Sequence, residues 1–141
     1  MIREISVRIE NEPGRIHRVA DVLGTAGIDI TALTVADQAT TGVLRIIVSD
    51  VSGARRALMN LDVPAAVHPV VAVAAPDSPG GLAHVLSPLN RAQIDVRYLY
   101  AFRRKDHDDA VVVLHTDRDE EAQMLLAQAG LELIGEDAVH G

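Results

Sequence analysis

Asn11-Glu12-Pro13-Gly14-Arg15-Ile16, with Ala26-Gly27-Ile28-Asp29-Ile30 downstream, decides the reading of this chain. The arrangement returns as Asp77-Ser78-Pro79-Gly80-Gly81-Leu82 with Ala92-Gln93-Ile94-Asp95-Val96. In the same register Val19 meets Val85, Leu23 meets Leu89 and Leu33 meets Leu99. Matches that preserve turn residues and apolar spacing together point to an internal duplication, and so to two very small domains.

Outward from the first motif, Ile2 to Ile9 alternates, with Ile5, Val7 and Ile9 on one face of a predicted strand. Beyond Pro13-Gly14, the residues Ile16, Val19, Ala20 and Leu23 form a helical stripe closed by Gly27. Two β-prone runs, Ile28 to Asp37 and Val43 to Ser49, flank Gln38-Ala39-Thr40-Thr41-Gly42 as a hairpin. Ser52 is the expected cap of a second helix carrying Ala54, Ala57, Leu58 and Leu61, with Pro64 at its exit. One copy reads β, α, β, β, α, β.

The second copy repeats this order. Its first helix carries Leu82, Val85, Leu86 and Leu89, and Pro88 predicts a bend or irregular turn near Ser87. Strands are expected at Ile94 to Arg103 and Ala110 to Thr116. Asp117 and Glu120 have capping-box spacing for a last helix with Ala122, Leu125, Leu126 and Ala129 buried and Gly130 at its end, and Leu131 to Ile134 begins the closing strand. Ala65 to Ala75 is nearly continuous apart from Pro69, so the domain boundary is placed there: 1–68 and 69–141. The expected fold class is α+β, two ferredoxin-like βαββαβ domains with four strands each, side-by-side antiparallel sheets and helices on one face. Regular strands would put Leu33, Val35, Leu99 and Ala101 on the face opposite Ile28, Ile30, Ile94 and Val96, where a sheet from another chain would pack.

Composition narrows the chemistry. The 48% apolar content supports a core, and with only Tyr98, Tyr100 and Phe102 as aromatics that core is aliphatic. A net charge of −7 disfavours binding to nucleic acid. The basic run Arg103-Arg104-Lys105 leads straight into Asp106, His107, Asp108 and Asp109, which reads as a solvated hairpin tip. No cysteine is present, excluding disulfides, thiolate metal sites and a cysteine nucleophile. No run is long enough to span a membrane, and Met1 to Ile5 enters the first alternating pattern without a signal-peptide core, so a soluble cytoplasmic protein is expected. Phosphate loops, GxSxG elbows and HExxH pairs are missing, and six histidines are scattered singly, with His17 and His84 on helical polar faces. Neither an enzyme nor a cofactor or metal is expected.

The two motifs resemble the signature of ACT domains, and the likeness covers essentially the whole chain. It looks like a stand-alone tandem ACT protein without an attached catalytic domain. The resemblance implies allosteric binding of an amino acid or related metabolite at interfaces between adjacent ACT domains, while the homodimer is expected from the second apolar sheet face. By position it implies a ligand site at Asn11, Glu12, Pro13, Gly14, Arg15 and Ile16 with Ile28, Asp29 and Ile30. The second copy would supply Asp77, Ser78, Pro79, Gly80, Gly81 and Leu82 with Ile94, Asp95 and Val96. Aspartate stands at residues 29 and 95 where many family members carry asparagine, and it cannot donate a hydrogen bond.

Physical chemistry favours the same loops. Pro13 and Pro79 suit a first helical turn, whose unpaired amides and positive dipole end attract a carboxylate. Gly14 and Gly80 lower helix propensity, so their bare backbone is expected to admit a ligand. Asn11, Asp77, Asp29 and Asp95 are candidates to receive its ammonium group. The plainer reading makes Pro-Gly a turn and leaves the aspartates to water. The three aromatics share one strand face and fit either core or a better-lined second site. The alternative function is a regulatory subunit docking on a separate enzyme, as the acetolactate synthase small subunit does.

Overall fold

The alternation at the amino end becomes β1 (Ile2–Glu10) of a computed structural model that describes residues 1–38 and 40–140. Ala39, inside the expected hairpin turn, and Gly141, closing the expected second domain, lie outside the described residues. The chain continues through α1 (Arg15–Thr25), β2 (Ile30–Gln38), β3 (Thr41–Val48), α2 (Val51–Met59) and β4 (Ala65–Pro76). Then come α3 (Gly81–Arg91), β5 (Val96–Arg103), β6 (Asp109–Thr116), α4 (Asp119–Gln128) and α5 (Glu136–Val139). These form two compact units, Arg3–His68 and Pro69–Gly141 with Met1–Ile2. No helix among the described residues is long and apolar enough to cross a membrane.

In the first unit β3 lies between β1 and β2, both antiparallel to it, with Leu44 facing Val7 on one side and Val35 on the other. Ile5, Val7 and Ile9 meet Val19 and Leu23 of α1 and Ala54 and Leu58 of α2 in one aliphatic core. Full burial of each such Val or Leu contributes roughly 1.5–3 kcal/mol. The α1 stripe is narrower than its spacing suggests, because Ile16 and Ala20 remain exposed. In the second unit β6 pairs with β4 and β5, and Val73, Val112 and Leu114 meet Val85, Leu89, Ala122 and Leu126.

Several local expectations change. The stretch shared by the two copies is one strand, β4, running through Pro69, so the described residues hold six strands and not eight. The closing segment makes a single bridge, Leu133 to Val73, supported by Ala74 N–H to the Glu132 carbonyl at 2.8 Å. Asp50, not Ser52, caps α2 by accepting from Gly53 N–H at 3.0 Å. The Asp117–Glu120 capping box does not form: Arg118 is the N-cap of α4, and Asp117 accepts instead from the Asp95 amide at 3.0 Å. Helix α3 runs unbroken through Pro88, without the irregular turn expected at Ser87. Pro88 is buried beside Leu89, and that burial offsets one lost helical hydrogen bond. Arg104 is not solvated either; it is buried and donates to both carboxylate oxygens of Asp109 at 3.2 and 3.3 Å.

The predicted two-faced strands also fail, for one reason that occurs twice. Between Ile30 and Ala32 the β2–β3 register shifts, and it shifts again between Val96 and Tyr98 in β5–β6. A bulge adds a residue and reverses side-chain parity beyond it. Leu33 therefore pairs with Ile46 and Leu99 with Leu114, both core residues, so they share the face of Ile30 and Val96. Tyr98, Tyr100 and Phe102 point the other way, half-buried, with the Tyr98 ring 5.4 Å from that of His115.

Candidate functional site: the duplicated turn

Both motifs fold into the same β-turn. The Glu12 carbonyl accepts from Arg15 N–H at 3.4 Å and the Ser78 carbonyl from Gly81 N–H at 3.0 Å. Gly14 has φ 88° and ψ −5°, and Gly80 has φ 87° and ψ −5°. These are the angles of the third residue of a type II turn, which follows proline and requires a left-handed backbone. Pro13 and Pro79 thus stand ahead of the helices and not in their first turns. The glycines are N-caps, and a Cβ on either would meet nothing within 4 Å. Glycine is needed here for its backbone angles, while the space above it stays open.

A glycine cap has no side chain to offer the helix amides. Arg18 N–H reaches the Gly14 carbonyl and His84 N–H the Gly80 carbonyl, each at 3.0 Å. Among the described residues, the Ile16 and His17 amides of α1 and the Leu82 and Ala83 amides of α3 donate to no protein acceptor. Each turn therefore presents two free N–H groups at the positive end of a helix dipole.

The charged neighbours differ. In the first unit Asn11 Nδ2 donates to Asp37 Oδ1 at 2.6 Å, and the Arg15 guanidinium bonds Glu10 and Glu12 at 3.1 Å each. In the second, Asp77 pairs with Arg103 at 3.3 Å. Gly81 stands where the first unit has Arg15, and its Cβ would collide with the Pro76 carbonyl oxygen. The Gly80-Gly81 pair was the sequence signal for that close approach.

Within one unit the remaining predicted residues lie elsewhere. Ile28, Asp29 and Ile30 follow the carboxyl end of α1, whose 11 residues separate them from the turn by about 16 Å. Ile94, Asp95 and Val96 follow α3, of the same length. Asp29 exchanges hydrogen bonds with Ser49 through its amide and carbonyl, and its carboxylate is exposed. Asp95 makes the equivalent pair with Asp117, and its carboxylate lies 3.4 Å from Arg97. Ile28 also borders a cleft of about 410 Å³ between α1 and α2, with Asp50, Arg56 and Asn60 on its rim. His17 and His84 are exposed, and no cluster of metal-ligating side chains occurs among the described residues.

Comparison with known proteins agrees with this architecture. A crystallised protein from Bacteroides thetaiotaomicron is 29% identical, with a TM-score of 0.90 over 99% of this chain and 95% of its own. The regulatory subunit of aspartate kinase from Thermus thermophilus, in its ligand-free form, is 16% identical, with a TM-score of 0.62 over 90% of this chain and 91% of its own. A structure of aspartokinase alpha and beta subunits gives 17% identity and a TM-score of 0.61 over 91% of each chain. Among curated proteins no sequence match was found. The model of the ACT domain pair family matches residues 1–140, and the chain is a member of that family, two ferredoxin-like ACT domains in tandem.

Proposed function

We propose that this protein is a non-catalytic cytoplasmic sensor that binds a small metabolite, an amino acid foremost, at its Pro-Gly turns. The observation that carries this reading is the repetition of one geometry: a left-handed glycine under open space, followed by two free helix amides, in each unit. A ligand carboxylate fits such a pair. In this reading the residues after α1 and α3, with Asp29 and Asp95, complete the site from an adjacent ACT domain. Occupancy acts by favouring whichever arrangement binds the ligand better.

A second copy of the chain is the expected neighbour. Ile16 (44% exposed), Leu33 (51%) and Val35 (42%) present apolar surface on the helix-bearing side of the first unit. The likeness to a separate aspartate kinase regulatory subunit, over 91% of that chain, favours a second reading, docking on an enzyme of amino-acid metabolism. The mass of the purified assembly separates the two, since a homodimer and a complex with a foreign subunit differ in stoichiometry.

The functional test is a thermal-shift screen of the standard amino acids followed by calorimetry. A ligand at a hundredfold excess over Kd stabilises the native state by about 2.7 kcal/mol. Gly14→Asn and Gly80→Asn suit the turn, because asparagine tolerates the left-handed region while placing a side chain over the free amides. Lost binding in a folded double variant supports the site. Unchanged affinity refutes it.

A further inference from the structure

Beneath the first turn of α1 lies a cavity of about 400 Å³ contained wholly in the first unit. We propose that it is a separate binding site for a small carboxylate with a short aliphatic tail, distinct from the amides of the Pro-Gly turn. Its wall is apolar, built from Ile9, Val19, Leu61 and Val63 at the edge of the aliphatic core. Arg18 supplies the cation from α1, and Arg8 of β1 brings a second guanidinium to the lining. The neighbouring Arg15 is held by Glu10 and Glu12, whereas Arg18, exposed on α1, makes no ion pair among the described residues. In a chain of net charge −7, an unengaged guanidinium at the mouth of an apolar cavity is suited to one anionic head group.

Asp62, also on the lining, has φ 54°. The corresponding turn of the second unit holds Gly130 at φ 82°, and a non-glycine residue in that region carries strain. The duplicate has Gly81 and His84 in place of Arg15 and Arg18, so the combination of cation, carboxylate and apolar wall belongs to the first unit alone. Asp62 stands where it would meet an α-ammonium group, which makes two sources possible for one chemistry: an aliphatic amino acid or a plain aliphatic acid.

Methyl NMR on the full chain, titrated with leucine and separately with isocaproate, tests the assignment. The expected result is movement of the Val19, Leu61 and Val63 methyl signals, with affinity reduced about tenfold or more in Arg18→Ala. Asp62→Gly, a substitution that relieves strain, distinguishes the sources. Weaker leucine with unchanged isocaproate supports an amino acid; unchanged affinity for both supports a plain carboxylate. Methyl signals unmoved by either probe at millimolar concentration overturn the proposal, as does equal affinity in Arg18→Ala. In a parallel amide titration, a response confined to the Ile16, His17, Leu82 and Ala83 N–H groups, and abolished by the Gly14→Asn and Gly80→Asn variants, overturns it while leaving the turn site standing.

Discussion

Nε2 of His68 lies 2.8 Å from Oε1 of Glu4, a carboxylate whose side chain has no exposed surface. Ser6 Oγ is 3.3 Å from the same nitrogen, and Arg45 Nε is 4.0 Å from the same oxygen. These side chains leave β1, β3 and β4 on the face away from the helices. One ring nitrogen lies within reach of both serine and glutamate, and with the fully buried carboxylate the group forms a buried polar anchor.

Removing the carboxylate therefore takes a buried acceptor from His68 and a charge partner from Arg45. Glu4→Ala is expected to lower unfolding free energy by about 3 kcal/mol, and Glu4→Gln by less because it retains a hydrogen-bonding oxygen. Urea unfolding followed by circular dichroism reads both. A loss below about 0.5 kcal/mol in the alanine variant would contradict the anchor role.

Asp50 and Gly53 are coupled through the α2 cap. A Cβ on Gly53 would strike the Asp50 carboxylate that caps the helix. Asp50→Ala is expected to cost about 1 kcal/mol, and Gly53→Ala a similar amount through displacement of that carboxylate. The double variant should cost clearly less than their sum, since either change removes what the other disturbs. Additive thermal denaturation values would remove the coupling.

At Gly81 the obstruction is the backbone carbonyl of Pro76, which cannot swing away as a side chain does. Gly81→Ala is expected to destabilise by about 2–3 kcal/mol. Alanine at Gly24, which meets nothing within 4 Å inside α1, should instead stabilise by up to about 1 kcal/mol. Paired melting curves check the opposite signs.

Gln93 offers a gain. It has φ 58° where α3 ends, the position held after α1 by Gly27 at φ 75°. The Ile94 amide still reaches the Leu89 carbonyl at 3.0 Å, closing the helix as Ile28 and Leu23 do at 2.9 Å. Gln93→Gly should raise stability by roughly 1 kcal/mol by removing the left-handed penalty. A lower melting temperature would show that the Gln93 side chain contributes more than its strain costs.

Much of this architecture was legible from periodicity. The pattern Ile5, Val7, Ile9 and the spacing Val19 to Leu23 set strand and helix faces correctly, because burial imposes those periods on sequence. Gly27 and Gly130 marked helix ends for a local steric reason that needs no tertiary context. Caps were less readable: Ser52 and Asp117 were chemically suitable, yet one-residue choices among adjacent polar groups are decided by where each strand ends. Arg104 could not be recognised as buried, since its partner Asp109 lies across a hairpin. The turn was visible as Pro-Gly, but its amide exposure and the cavity near Arg18 depend on segments far apart in the chain.

Thr31 and Arg97 are the supernumerary residues of the two bulges, at matching places in the two copies. Excising either one would give an uninterrupted ladder with Leu33 or Leu99 still turned inward, whereas a deletion farther along the same strand would turn its remaining side chains over. Natural length variation in these strands should accordingly collect at those two points, and a chain shortened there should retain its core.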